Sequence, residues 1–180
     1  LYKGYSIQPF SPMAGTGLSS HELNQPGTYQ ETTDTTVTAQ FKTIPESLPK
    51  GLKNEIDLYI LAWTTTPWTL PSNTALTIGK KIDYLIIRTF NQYTFKPIRV
   101  LIAKDLIKKQ FGEKFIESPS VDNYKPSDKK IPYKIESEHK GSELLGIRYE
   151  KIWSESPVPI ENSENAYRII SGDFVTTDEG

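Results

Sequence analysis

Residues 56–73 read IDLYILAWTTTPWTLPSN. Residues 56–63 form an apolar run of the kind found in a strand buried on both faces, and Thr64, Thr65 and Thr66 extend it to the margin of a sheet. Pro67 ends the strand because proline has no N–H to donate to a neighbouring strand. The stretch therefore predicts a strand over residues 56–64 that is followed directly by a loop.

Other β-type segments surround this strand. They are rich in β-branched and aromatic residues and are bounded by Pro, Gly, Asn or Asp. These segments are residues 35–42 (TTVTAQFK), 82–90 (IDYLIIRTF), 98–103 (IRVLIA) and 166–176 (AYRIISGDFVT). Several short strands with varied connections predict a mainly β domain, in which the sheet forms a barrel or is strongly curved.

Helical signals are few and short. KDLIKKQFGE at 104–113 carries an apolar stripe that includes Leu106, Ile107 and Phe111, and Gly112 suits a C-terminal cap. Residues 71–80 are predicted to add one turn. The polar, proline-punctuated residues 117–134 predict a long loop or an irregular edge strand. Helices are therefore expected only at the periphery.

Composition bounds the function. The 180 residues are 36% hydrophobic and 24% charged, which suffices for one sizeable core. Lys and Arg total 21 against 22 Asp and Glu, so the chain is nearly neutral and is not expected to bind a long stretch of nucleic-acid backbone. Contact with the end of a single nucleic-acid strand remains possible. The absence of cysteine excludes disulfides, thiolate zinc sites and cysteine nucleophiles, and favours a cytosolic protein. No apolar run reaches membrane-spanning length.

Familiar catalytic patterns are missing. The sequence has no H-E-x-x-H, Walker loop or G-x-S-x-G motif. His21 and His139 have polar neighbours and are expected at the surface or in loops. MAGTGLSS at 13–20 predicts a plain turn, since it lacks the lysine and following helix of a phosphate loop.

The threonine run has two interpretations. Hydroxyls that each carry a methyl group suit a pocket for a polar group beside a small aliphatic one, with Trp68 as a flat wall and Asn73 as an amide donor and acceptor. Alternatively, Thr64 to Thr66 merely favour a strand, and Trp63 and Trp68 fill the core.

Four ordered segments carry a family resemblance. WTTTPWTLPSN (63–73), YKGYSIQPFSPMAGTGLSSHEL (2–23), KGSELLGIRYEKIW (140–153) and GDFVTTDEG (172–180) together resemble the editing domain, also called connective polypeptide 1, of isoleucyl-tRNA synthetase. The related valyl and leucyl enzymes carry an arginine where Thr66 stands, which favours the isoleucyl family. The resemblance spans nearly the whole chain.

This resemblance implies a fold and an activity. Residues 1–180 are expected to be a single editing domain with the barrel-like fold of the valyl, isoleucyl and leucyl synthetases, lacking its C-terminal part. The implied activity is hydrolysis of valine misattached to tRNA(Ile), and of valyl-adenylate; the isoleucyl enzyme is itself a standard example of a synthetic site that rejects one missing methylene poorly. The implied substrate-binding residues are Thr64, Thr65, Thr66, Trp68 and Asn73, with Thr66 crowding out isoleucine.

The resemblance also places the chemical groups. The family's functional histidine and aspartate would lie beyond Gly180, so no catalytic residue is assigned here and weak hydrolysis is expected from the chain alone. Asp173, Asp178 and Glu179 are expected in a solvated loop. No cofactor or metal is implied in this domain, while the parent synthetase would use ATP and Mg²⁺. The implied partners are the 3′ end of tRNA(Ile) and the catalytic domain of the same chain, in a cytoplasmic monomer without membrane contact.

Three alternatives remain. One is the editing domain of the valyl or leucyl relative. Another is a carbohydrate- or peptide-binding β-domain that uses some of its 10 Tyr and 3 Trp as stacking platforms, in which case Trp68 should be exposed. The last is a purely structural domain, which predicts no pocket beside Thr64 to Thr66.

Overall fold

A computed structural model describes residues 3–31 and 33–177. Internal contacts divide the chain into two compact units, with the boundary between Thr35 and Thr36. The prediction of one domain over residues 1–180 stays a prediction. In the described residues, no helix combines the length and the apolar character needed to cross a membrane.

The first unit contains a short hairpin and one helical turn. Strands β1 (Phe10–Ser11) and β2 (Thr16–Gly17) are antiparallel, and the turn predicted for this region passes through Gly15 at φ +68°. Helix α1 (Ser20–Leu23) begins after Ser19, whose side chain accepts a hydrogen bond from the Glu22 N–H, while Glu22 reaches back to the Ser19 N–H at 2.7 Å. This reciprocal cap satisfies donors that a helix start leaves open.

The second unit holds the remaining strands. In chain order they are β3 (Val37–Lys42), β4 (Leu58–Thr64), β5 (Ala75–Ile78), β6 (Asp83–Phe90), β7 (Pro97–Ala103), β8 (Phe115–Glu117), β9 (Ile131–Lys140) and β10 (Arg168–Ser171). Helix α2 (Ile107–Gln110) lies between β7 and β8. Single turns of 3₁₀ helix occur at Pro45–Ser47, Lys50–Leu52, Lys104–Leu106, Gly141–Glu143 and Ser163–Asn165, and a longer one at Pro67–Ser72.

Six of these strands form one mixed sheet in the order β3-β4-β7-β6-β9-β8. The β4–β7 and β8–β9 pairs are parallel and the others are antiparallel. Strands β5 and β10 form a separate parallel pair. The prediction of a mainly β fold with peripheral helices is confirmed, whereas closure of the sheet into a barrel is not detected within residues 3–31 and 33–177.

Both faces of the central strands are covered. Leu58 and Ile60 of β4 belong to one apolar cluster, while Tyr59 and Leu61 pack on another. Successive residues of a strand point to opposite faces, so the first part of β4 packs on both faces, with Leu58 and Ile60 buried and Tyr59 half-buried. From Leu61 to Thr64 every residue is half-buried, so the predicted burial on both faces is only partial.

Residues 140–153 are a turn anchored in the core. Leu144, Ile147 and Tyr149 are at most 1% exposed, and Gly146 adopts φ +83°, which glycine accepts without strain. Gly141 lies so close to the Gly79 carbonyl that an added Cβ would collide with it. Packing therefore explains why these residue types occur in this segment.

Several predicted boundaries differ from the structure. The helix expected over 104–113 is a 3₁₀ turn followed by the single turn of α2, ending at Gln110. Within 71–80 the helical turn ends at Ser72 and a strand follows. The loop predicted over 117–134 ends at Ile131, where β9 begins, and the strand predicted over 166–176 is limited to Arg168–Ser171.

Candidate functional site at the carboxyl ends of strands β4 and β7

Two parallel neighbours separate in the middle of the sheet. The β4–β7 pairing runs from Leu58↔Arg99 to Ile60↔Leu101. Beyond it, β4 stays paired with β3 as far as Thr64, while β7 stays paired with β6 as far as Ala103. The gap between them opens into a cavity of about 390 Å³, lined by residues 60–63 and 101–103. A crevice beyond the carboxyl ends of parallel strands is a common ligand site in α/β sheets.

The cavity has an apolar wall and a polar margin. Leu76, Ile78, Tyr84, Leu106 and Val175 complete the apolar part. The polar lining comes from Lys109 and Gln110 of α2 and from five threonines, Thr36, Thr38, Thr77, Thr176 and Thr177. An apolar cavity with a few polar groups has the composition of a small-molecule site.

Helix α2 is tied to the end of β4. Thr38 Oγ1 donates to Gln110 Oε1 at 3.1 Å, and the ammonium of Lys109 lies 4.1 Å from the centre of the Trp63 ring. Thr38 faces Trp63 in the β3–β4 register. Both contacts therefore hold α2 beside Trp63, the residue that precedes Thr64.

The threonine run folds into a local hydrogen-bonded turn. The Thr66 N–H donates to Thr64 Oγ1 at 3.0 Å, and the Thr64 and Thr66 hydroxyls lie 3.3 Å apart. Thr69 Oγ1 donates to the Thr66 carbonyl at 2.8 Å. Thr65 and Thr66 are exposed. These threonines do not line the cavity themselves, but they follow Trp63, which does.

Trp68 and Asn73 lie at different depths. Trp68 is in the 3₁₀ helix and is 69% exposed, as the binding-domain alternative requires and contrary to a role in core filling. Asn73 is half-buried: its Nδ2 donates to the Ala75 carbonyl at 3.0 Å, and its Oδ1 accepts from the Tyr149 hydroxyl at 2.6 Å. One N–H and one lone pair of the amide stay available, since an Asn amide has two of each.

Tyr149 is the residue that sequence reasoning missed. It is 1% exposed, and its ring centroid lies 5.1 Å from that of Phe41 and 6.2 Å from that of Tyr167. Burial raises the pKa of Tyr149 far above that of a free tyrosine, so the phenol stays a neutral hydrogen-bond donor. Its place in the segment 140–153 was a signal, but its partner lies 76 residues away.

Other candidate groups lie elsewhere in the described chain. His21 and Asp173 are exposed. His139 is half-buried on β9, where Nδ1 lies 3.1 Å from Glu143 Oε2 and Nε2 lies 2.8 Å from Ser137 Oγ. Asp178 and Glu179 lie outside the described residues. Among the residues that are described, no group of three or more His, Asp or Glu is placed to hold a metal.

Comparison with known sequences gives high identity over the full length. The chain is 54% identical to a segment of the isoleucine–tRNA ligase of Cytophaga hutchinsonii, 52% to that of Bacteroides fragilis and 50% to that of Porphyromonas gingivalis. All of this chain is covered in each case, and it spans 15% of each relative's length. No protein-family model matches the chain.

A solved structure has the same fold. The crystal structure of GlLeuRS-CP1, a leucyl-tRNA synthetase CP1 structure, matches 81% of this chain and 52% of its own with a TM-score of 0.51. Because the two sequences are only 15% identical, the similarity concerns the fold alone. By sequence over its whole length, this chain belongs to the isoleucyl-tRNA synthetase family, as a segment with the fold of a CP1 editing domain.

Proposed function

We propose that this chain is the editing domain of an isoleucine–tRNA ligase and that its site hydrolyses the ester of valine misattached to tRNA(Ile). The observation that carries the proposal is the threonine run at the end of β4, beside the cavity, in a chain 54% identical to a segment of such a ligase. A synthetic site separates isoleucine from valine poorly, and this enzyme is a standard case in which a second, hydrolytic site corrects the error.

The local geometry suits recognition of an aminoacyl ester. Thr64 and Thr66 have hydroxyls held by each other, so less conformational freedom is lost when a substrate binds. The methyl group of Thr66 would oppose the additional methylene of isoleucine, which makes Thr66 the size filter. Hydrolysis further requires a positioned water and donors for the developing oxyanion.

The terminal adenosine has two partners near this run. The exposed ring of Trp68 offers a flat face on which a base can stack. Asn73 retains one N–H and one lone pair for the nucleoside. Both residues would orient the ester and would not select between amino acids.

The wider assignment follows from the same family. The partners are the 3′ end of tRNA(Ile) and the catalytic domain of the same chain, and the parent ligase would use ATP and Mg²⁺ for aminoacylation. The domain itself uses no metal in this proposal. Valyl-adenylate is a second substrate of the same chemistry, and the ligase is a cytoplasmic monomer.

The test measures deacylation and aminoacylation side by side in the full-length ligase. In this proposal the exposed Thr65 hydroxyl is a donor to the developing oxyanion. Thr65→Val preserves shape and removes that hydroxyl, so deacylation of valyl-tRNA(Ile) should fall tenfold or more, on the order of one lost transition-state hydrogen bond, while aminoacylation is unchanged. Thr94→Val, in the exposed β6–β7 loop, is the matched control and should alter neither rate. An enzyme that never deacylates valyl-tRNA(Ile), or a Thr65→Val variant with full deacylation, contradicts the proposal.

A binding domain without catalysis is the second candidate, and the 69% exposure of Trp68 favours it. It predicts that an oligosaccharide or peptide quenches tryptophan fluorescence and that Trp68→Ala abolishes the response. Editing predicts no such response and a loss of deacylation in the same variant.

A further inference from the structure

Lys109 differs from three other lysines around the sheet in what holds it. Lys42, Lys104 and Lys140 each pair with a carboxylate, for example Lys104 with Glu138 at 2.8 Å. In the described part of the chain, no carboxylate oxygen lies within 4.0 Å of the Lys109 ammonium. Its position is set by the face of Trp63, 4.1 Å away. A cation held by an aromatic ring keeps its full charge for an anion.

The location of Lys109 is between two cavities. It lines the cavity at the ends of β4 and β7, and it also lines a second one of about 270 Å³ beside β6 and β8. Trp63, on which it rests, immediately precedes Thr64. A sugar-phosphate backbone whose 3′ end reaches the threonine run can therefore pass close to the Lys109 ammonium.

The cavity at the ends of β4 and β7 is too large to be the size filter. Its volume of about 390 Å³ is within the range of roughly 300–1,000 Å³ found for sites that take whole small molecules. A filter that rejects one methylene must fit a side chain closely. The cavity thus suits a nucleotide on the approach to Thr66 better than it suits the amino-acid side chain.

We propose that Lys109 contacts a backbone phosphate of the tRNA 3′ strand and holds a nucleotide that precedes the terminal adenosine over the cavity between β4 and β7. This inference rests on the proposed function and adds a positioning residue to it. Single-stranded nucleic acid is commonly bound by cations that follow the backbone beside aromatic side chains, which is the arrangement of Lys109 and Trp63.

The experiment uses the full-length ligase with Lys109→Gln, Lys109→Arg and the control Lys108→Gln. Lys108 is exposed on the same helical turn and lines neither cavity. Each enzyme is given valyl-tRNA(Ile) and valyl-adenosine, an ester without phosphate. For valyl-tRNA, Lys109→Gln should raise KM about 3- to 10-fold at low salt, keep kcat within about 2-fold, and reduce the salt slope of log(1/KM) by about 0.7, the value for one single-strand phosphate.

The phosphate-free ester and the conservative variant exclude a merely structural effect. Lys109→Gln should hydrolyse valyl-adenosine normally, and Lys109→Arg should restore KM on valyl-tRNA because the charge is kept. Equal loss on both substrates, an unchanged salt slope, or the same effect from Lys108→Gln overturns the inference.

Failure of the proposed function gives a different result. If the unaltered ligase hydrolyses neither ester, the editing assignment fails, and Lys109 is then judged by binding of a short single-stranded RNA, measured by fluorescence anisotropy. A 3- to 10-fold weaker Kd for Lys109→Gln, with Lys108→Gln unchanged, supports the phosphate contact. An unchanged Kd refutes it.

Discussion

Replacing Asn73 with alanine tests whether the threonine segment is held to the core by a buried hydrogen bond. The amide makes two contacts, with the Ala75 carbonyl at 3.0 Å and the Tyr149 hydroxyl at 2.6 Å. Each neutral hydrogen bond contributes about 1 kcal/mol to the free energy of unfolding. For the Tyr149 bond this cost rises to about 1–3 kcal/mol, because the hydroxyl loses its acceptor while Tyr149 is 1% exposed and becomes an orphaned buried donor.

These contributions predict a loss of about 2–4 kcal/mol for Asn73→Ala. Tyr149→Phe removes the donor instead and should cost only about 1 kcal/mol, because Asn73 is half-buried and its Oδ1 can meet water. The double variant contains no orphaned hydroxyl and should cost about 2 kcal/mol. The two substitutions should therefore be non-additive by about 1–3 kcal/mol.

The assay is urea unfolding of the four chains, followed by tryptophan fluorescence and by far-ultraviolet circular dichroism. Coincident transitions justify a two-state free energy for each chain. Asn165→Ala is the matched control because Asn165 is exposed and bonds only the exposed Glu164 side chain, so it should lie within about 0.5 kcal/mol of the unaltered chain. Additivity within about 0.5 kcal/mol, or a loss below that from Asn73→Ala, would refute the reasoning.

Three further predictions follow. Thr66→Ala in the full-length ligase should allow hydrolysis of isoleucyl-tRNA(Ile), with a gain relative to valyl-tRNA(Ile) of at most about tenfold to two-hundredfold; paired rates with an unchanged ratio would exclude Thr66 as the filter. Arg99→Ala should cost about 3 kcal/mol in urea unfolding, because Arg99 is 4% exposed and bonds Glu136 at 2.7 Å and the Leu52 carbonyl at 2.8 Å, and a loss below 1 kcal/mol would contradict its role. Stability should fall as pH rises above about 10, because burial raises the folded-state pKa of Tyr149 and this phenol then loses its proton only in the unfolded chain. Thermal melting measured from pH 8 upward should show a weaker decline in melting temperature for Tyr149→Phe than for the unaltered chain.

Most central strands were predictable because local patterns and tertiary environment agree for them. The strand predicted over 82–90 is observed as Asp83–Phe90, and that over 98–103 as Pro97–Ala103. Both are buried on two faces, so their apolar runs reflect the sheet directly. The local sequence is sufficient where burial is complete.

Strand β9 was not predicted because its stability comes from partners distant in sequence. Its residues 131–140 read IPYKIESEHK, with charges where a buried strand has apolar groups. Glu136 pairs with Arg99, Glu138 with Lys104, and Lys140 with Asp83 of the adjoining strand. The pair of Lys140 and Asp83 joins neighbouring strands and is of the kind that stabilises a sheet, whereas the other two pairs reach β7 and the turn after it. One segment alone reveals none of these partners.

The cavity was beyond sequence reasoning for a related reason. It arises because β4 keeps β3 as a partner and β7 keeps β6 after the two strands separate at Ile60 and Leu101. Register is a property of pairs, and neither strand carries a local mark at the point of divergence. The threonine run was visible in the sequence, while the space beside it was not.

The hydrogen bonds within the threonine run bear on what the run can select. A hydroxyl already bonded to a neighbour, as Thr64 is to Thr66 at 3.3 Å, has a fixed side-chain rotamer and a methyl group in a fixed direction. A filter for one methylene depends on such fixed methyl positions, because a side chain free to rotate would yield to the larger amino acid. Asn73 and Tyr149 hold the far end of the same segment, so their hydrogen bond should affect discrimination between valine and isoleucine as well as stability. Asn73→Ala in the full-length ligase should therefore lower the ratio of the deacylation rate for valyl-tRNA(Ile) to that for isoleucyl-tRNA(Ile). An unchanged ratio at reduced stability would show that the hydrogen bond between Asn73 and Tyr149 stabilises the fold without affecting the selection by Thr66.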